Sequence, residues 1–250
     1  GMLFYKRKEY IKALANYDRA LPLYKKAGER RPESFLYDSY GELYRDLGQY
    51  DKAVENLQKA IVLAREIRYS EVEARALGNM MTLWTRRSQP RLGILYGKQA
   101  VNVYQSIRAN NSAVGKDAQT SLVKSNEKTY RQLANLLIDE GRLAEAQQVL
   151  DLLKAEEYFD FVRRDASEAG DQATLALTES ERKALEEYSR VSASLTALGQ
   201  QFQTLQDKKN KNAGKLSEPE EAEYIRLKKQ VEDAGEGLKT FFAKLSTEFS

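Results

Sequence analysis

Tyr10, Ala13 and Ala20 are matched forty residues on by Tyr50, Ala53 and Ala60, and Ala100 falls forty beyond Ala60. A repeat of this length is one supersecondary unit that cannot bury its apolar face alone, so successive copies must stack. The clearest copy is "YDSYGELYRDLGQYDKAVENLQKAIVLA", Tyr37 to Ala64. Tyr37, Tyr40, Gly41 and Tyr44 share one helical face, "LGQY" makes a turn, and Tyr50, Ala53, Leu57 and Ala60 form the inner face of a second helix. Small residues at Gly41, Ala53 and Ala60 let the two helices approach closely, and aromatics fill the gaps between neighbouring pairs. The pattern predicts an all-α solenoid of helix pairs.

With these positions in view, the chain resembles the tetratricopeptide repeat (TPR), lengthened from its usual period of about 34 residues. Four copies are legible. The first keeps only "MLFYKR" of its leading helix before "KEYIKALANYDRALPLYKKA", and the second is the copy above. The third pairs "EARALGNMMTLW" with "RLGILYGKQAVNVYQSIR", where Gly93 and Gly97 replace the usual alanine and aromatic and imply a closer or looser crossing. The fourth, "TYRQLANLLIDEGRLAEAQQVLDLL", has Tyr130, Leu133, Ala134, Leu137, Gly141, Leu143, Ala146 and Leu150 in register. An insertion before it, residues 110–126, predicts a short extra helix. The resemblance implies a right-handed superhelix.

Composition excludes whole classes of chemistry. With no Cys and no His among 250 residues, the chain supplies no thiolate nucleophile, imidazole base, disulfide, or thiolate or imidazole metal site. No Gly-rich phosphate loop follows a strand and no nucleophile elbow is present. The expectation is no catalytic residue, no metal and no cofactor. A net charge of +3 creates no field that argues for nucleic acid or an anionic membrane. No apolar run reaches the about 18 residues of a membrane span, so the expected location is the cytoplasm. Gly1 ahead of Met2 reads as an expression scar on a piece of a longer protein.

Beyond Asp165 the period changes. Ala184, Tyr188, Val191, Leu195, Leu198, Phe202 and Leu205 alternate spacings of three and four, as do Tyr224, Leu227, Val231, Ala234, Leu238, Phe241 and Leu245. Thr178 with Glu181 and Ser217 with Glu220 are capping boxes, and "DKKNKNAGK" between the runs is loop chemistry. The expected organisation is a TPR-like solenoid over 2–165, a connector over 166–177 and an antiparallel coiled-coil hairpin over 178–250, serving as an arm or spacer. The same heptads also suit pairing between chains. "YFDFVRRD", Tyr158 to Asp165, reads as the closing element of the stack, its arginines suiting the negative helix end. An aromatic and basic binding site is the competing reading.

"YGKQAVNVYQSIR", then "TYRQLANLLIDEGRLAEAQQVLDLLK", then "YFDFVRRD" together resemble the TPR region that precedes the caspase-like domain of bacterial TPR-CHAT proteins. The likeness covers most of residues 3–166 and, more weakly, the hairpin. It implies a regulatory or sensor module for a His and Cys peptidase domain that this chain does not contain, so no catalytic residue carries over. The expected partners are a protein or peptide and, in the parent protein, that CHAT domain. Projecting the repeat places Asp38, Glu42 and Arg45, then Arg75, Asn79 and Thr82, then Lys128, Arg131, Asn135 and Asp139 along the concave surface. Arg75 with Asn79 and Arg131 with Asn135 form a repeated pair suited to holding an extended peptide, Asn on its backbone and Arg on a carboxylate. The alternative is that these side chains are solvated or bond within the stack. Two other function classes are weaker. A nucleic-acid-associated scaffold would rest on Lys208, Lys209, Lys211 and Lys215 at the hairpin tip, without interleaved aromatics for stacking. An enzyme would rest on acids in "KAEEYFD" and "SEPEEAEY", which have the spacing of solvated helix faces.

Overall fold

The computed structural model describes residues 1–110, 116–162, 175–212 and 214–249, and among them every regular element is a helix. Four pairs come first: α1 (Met2–Lys6) with α2 (Tyr10–Ala27), α3 (Arg30–Asp46) with α4 (Tyr50–Glu66), α5 (Ser70–Arg86) with α6 (Pro90–Asn110), and α7 (Lys116–Asp139) with α8 (Leu143–Val162). Two long helices, α9 (Glu179–Lys211) and α10 (Glu218–Glu248), complete the chain. Consecutive helices pack against one another through the stack, giving an all-α TPR-like solenoid.

The pairs are spaced by one device. Lys8, Gly28, Gly48, Arg68, Ser88 and Gly141 all take positive φ, between 53° and 72°. At each, its own N–H and the next residue's N–H turn back to the last carbonyls of the preceding helix, as in Gly48 to Arg45 and Gln49 to Tyr44 at 3.0 and 2.9 Å. This is a Schellman closure. The left-handed residue reverses the chain, and the residue after it opens the following helix.

Inside the pairs the small residues act as expected. A Cβ on Gly41 would lie 2.5 Å from Leu57 Cγ, and one on Gly97 would lie 2.6 Å from Met81 Sδ and 2.8 Å from Leu133 Cδ1. The third pair therefore crosses closely. Leu57, Ala53, Ala60, Tyr130, Leu133 and Leu137 are completely buried. Leu143 departs from its register position and stays exposed. As the first residue of α8 it has no following pair to cover it among the described residues. The predicted short helix before the fourth copy is also corrected, because Lys116 onward is already α7. No Gly or Pro interrupts the segment from Lys116 to Asn126, so the leading helix simply extends. The side chains of Tyr158–Val162 and all of 163–165 lie outside the described residues, and with them the closing-element reading of "YFDFVRRD".

α9 and α10 run antiparallel, with Phe202 over Tyr224 at 5.0 Å and Tyr188 beside Phe241 at 6.1 Å. Both capping boxes form. At the tip, Lys208 pairs with Glu220, and Lys209 pairs with Glu221 at 2.6 Å and lies 4.4 Å over the Tyr224 ring. Half of the lysine cluster is thus tied within the hairpin. The pair does not project as an arm but lies back across the second helices of the repeats. α9 packs on α4, and a Cβ on Gly199 would fall 2.4 Å from the Glu66 carbonyl oxygen. Tyr188 donates to Glu73 Oε1 at 2.7 Å, Arg65 pairs with the same oxygen at 2.5 Å, and Phe242 of α10 meets Tyr96 of α6 at 6.0 Å.

The start of α9 is held by a four-charge clasp. Lys98 of α6 is completely buried, and it donates to Glu145 of α8, to Glu181 at 2.7 Å and to the Ala176 carbonyl at 2.6 Å. Arg142 donates to Glu181 Oε1 at 2.7 Å and to Glu145 Oε2 at 2.7 Å. Burial alone would raise the Glu181 carboxyl, but hydrogen bonds from Arg142, Lys98 and the Thr178 N–H outweigh it and hold it at about 2. The same cations keep Glu145 below its ordinary value despite its own burial. Removing one member of such a buried cluster strands its partners. Lys98→Met is expected to cost about 3 kcal/mol in denaturant unfolding. Trp84 is the one tryptophan and lines a cavity with Phe242, so its emission should shift as α10 lifts. Because both carboxyls are depressed, the clasp is fully present above their unfolded value of about 4.3 and weakens as pH falls toward about 2. Glu181→Gln should flatten the stability curve across that window; an unchanged acid slope in chemical denaturation would contradict this.

Candidate functional site

The leading helices α3, α5 and α7 carry the polar residues singled out by the repeat. Asp38 is buried and accepts from Arg75 Nε at 2.6 Å and from Asn79 Nδ2 at 2.9 Å. Asn79 Oδ1 accepts in turn from Arg45 Nη1 at 2.8 Å, and Arg45 Nε donates to Asp46 at 3.1 Å. Asp46 also receives the Tyr5 hydroxyl at 2.6 Å and Arg86 Nη1 at 2.9 Å. A continuous polar seam therefore joins α1, α3 and α5. The Arg75 guanidinium lies 3.8 Å over the Phe35 ring, adding a cation–π contact to its ion pair.

Along α7 the surroundings change. Lys128, Arg131, Asn135 and Asp139 are exposed; Arg131 pairs with Glu127 of its own helix at 2.7 Å. The two Arg and Asn pairs therefore occupy different places, one inside the seam and one on the surface. Counted back from the left-handed turn, Arg75 stands as far before Ser88 as Lys128 stands before Gly141, and Asn79 is matched by Gln132. The projected ladder thus slipped by almost a turn between the third copy and the fourth. The position matching Asp38 on α5 is Gly78, which offers no carboxylate, and Thr129 approaches it instead, with Oγ1 3.1 Å from where a Cβ would stand. Thr82 donates to Gln132 Oε1 at 3.3 Å across the same contact.

Glu42 links the two regions. Its side chain is about one-third exposed and lies 3.7 Å from Arg45. Burial, and after it the charge of Asp38, push its carboxyl above the ordinary value, while Arg45, Arg75 and Lys128 pull it back. The charge of Lys128 on α7 reaches Glu42 on α3, and both helices pack against α5. Among the described residues, Lys128 and Asn135 have no hydrogen-bond partner. Neither group of the seam that sequence reasoning overlooked, Asp46 and Tyr5, carries a local signal, since each is defined by a partner some forty residues away.

Comparison with known proteins agrees with this architecture. The tetratricopeptide repeat family model matches residues 1–66, the stretch from α1 to the end of α4. No curated protein and no solved structure matches the chain. Repeats of this family generally mediate protein–protein interaction. Among the described residues no helix is long and apolar enough to cross a membrane.

The unequal settings of the two arginines lead to unequal effects. Arg75→Ala leaves buried Asp38 without its cation and is expected to cost about 2 kcal/mol, whereas Arg131→Ala should stay within about 0.5 kcal/mol. Thermal melts of the two single variants separate them.

Proposed function

We propose that the chain is a protein-interaction scaffold in which the groove between α3 and α7 receives an extended peptide or protein segment. The observation that carries this reading is the contrast along the groove. Polar groups on α3 and α5 are consumed by one another, while Lys128 and Asn135 on α7 remain open opposite half-buried Glu42. Lys128 offers a cation for a carboxylate and Asn135 a donor and acceptor for a backbone amide. Glu42 and Arg45 complete the opposite wall, with Arg75 and Asn79 holding that wall in place and Arg131 at its edge.

In the fuller form of the proposal, residues 2–165 form the binding solenoid and residues 178–250 brace it. The unit serves as a regulatory or sensor module for a C-terminal caspase-like CHAT peptidase domain in a longer cytoplasmic bacterial protein. The stretches from Tyr96 to Asp165 that resemble TPR-CHAT proteins support this, as does the lack of Cys and His for peptidase chemistry within the chain itself.

The test is binding of a separately produced caspase-like CHAT domain to the immobilised chain, followed by calorimetry. Lys128→Glu together with Asn135→Ala should weaken binding at least about tenfold, a loss of about 1.4 kcal/mol, with an unchanged melt. If the double variant binds as the parent does, the groove assignment fails. If the parent itself shows no binding, the peptidase-regulator reading fails.

A further inference from the structure

Between the second and third pairs the outer face of α4 is not fully covered. Its Val54, Glu55 and Gln58 border a cavity of about 420 Å³ that is also lined by Trp84 and Arg87 at the end of α5 and by Phe242 of α10. One period later the matching residues Ile94, Leu95 and Lys98 are completely buried, so the same face is closed in the third pair.

The lining is chemically divided. Arg87 and Trp84 bring donors, Asp51 and Glu55 bring carboxylates, and Val54 and Phe242 bring apolar surface. Trp84 is buried, and its indole N–H meets no acceptor among the described residues, although a buried indole N–H ordinarily has one. The Arg87 guanidinium lies 5.2 Å over the Trp84 ring and pairs with Asp51 at 3.0 Å. The Asp51 side chain is 94% exposed, so this is a surface pair that costs little to part. Glu55 is likewise exposed and pairs only with Lys59 of its own helix among the described residues, at 2.5 Å.

We propose that this cavity binds a small zwitterion, a free α-amino acid with an apolar side chain. The ligand carboxylate takes the Arg87 guanidinium from Asp51 and, with Arg87 drawn off the indole ring, accepts the Trp84 N–H as well. Asp51 and Glu55 receive the ammonium group, and the ligand side chain lies on Val54 and Phe242. Small-molecule sites of about 300–1,000 Å³ combine apolar lining with a few converging polar groups in this way. Val54 belongs to the second pair and Phe242 to the hairpin, so the ligand bridges the two. The chain thereby gains a small-molecule site separate from the α3–α7 groove.

The probe is built in, because Trp84 is the one tryptophan of the chain. Leucine, methionine and phenylalanine are titrated in turn into the full chain while its emission is read, and binding is repeated by calorimetry. A saturable response to at least one is expected. The amino acid that binds is then compared with its analogues lacking the ammonium group or the carboxylate, for leucine isocaproate and isoamylamine, each expected to bind at least tenfold more weakly. Arg87→Gln and Asp51→Asn should each weaken binding at least tenfold in calorimetry with an unchanged melt. Lys128→Glu should leave it unaltered, so failure here is distinguishable from failure of the groove. No saturable response to any of the three amino acids overturns the proposal, as does equal binding of either analogue or binding indifferent to both cavity variants.

Discussion

The structure depends on a backbone conformation that L-residues avoid. Reversing the chain after each helix within three residues requires one residue at positive φ, and the stack places such a residue at every junction from Lys8 to Ser88 at a constant interval. Glycine takes this conformation freely, whereas Lys8, Arg68 and Ser88 do so against a cost of about 1–2 kcal/mol each. Those costs are tolerable because the Schellman hydrogen bonds satisfy helix-end carbonyls and the reversed helix returns to bury its apolar face. The interval fixes helix length, and helix length fixes which residues meet across neighbouring pairs. The polar seam from Tyr5 to Arg86 exists because that spacing never drifts over the first three pairs.

The closed seam on α3 and α5 and the exposed polar face of α7 share one origin. Where the leading helices keep their register, Asp38 finds Arg75 and Asn79 and the polar groups neutralise one another. Where the fourth leading helix lengthens to 24 residues and meets α5 at Gly78, the acceptor is missing and α7 keeps its polar groups exposed. A change in the repeat, rather than a special motif, thus leaves the polar side chains of α7 exposed.

How much of this was legible in the sequence follows from range. Tyr37, Gly41, Ala53 and Leu57 announce the helix pair because contacts within a pair are local and the alternation of small and aromatic residues survives in each copy. The heptads of α9 and α10 are equally plain. Where they dock is not, because Lys98 and Glu181 are 83 residues apart and each looks like an ordinary surface charge. Gly199 offered a signal, a glycine inside a long heptad run, whose meaning depends on a backbone in α4 that no pattern specifies. The projected Arg and Asn ladder shows the opposite hazard. Similar residues at similar spacing suggested equivalence between Arg75 and Arg131, yet only the turn residue sets the true frame.

A solenoid of nearest-neighbour contacts has no reason to unfold all at once, since each pair answers only to the next. The hairpin changes that. Tyr188 reaches Glu73, Gly199 sits on Glu66, and Glu181 is gripped by Lys98 and by Arg142 beyond it, so a single element spans the second, third and fourth pairs. Such a strap opposes, across those three pairs, the springlike extension open to an unbraced stack. It also defers completion of the fold to contacts more than a hundred residues apart in the chain, such as Tyr188 with Glu73 at a separation of 115. Their loop-closure entropy must be met before they stabilise anything. The second to fourth pairs, able to grow one after another, are thereby tied into one body by the hairpin.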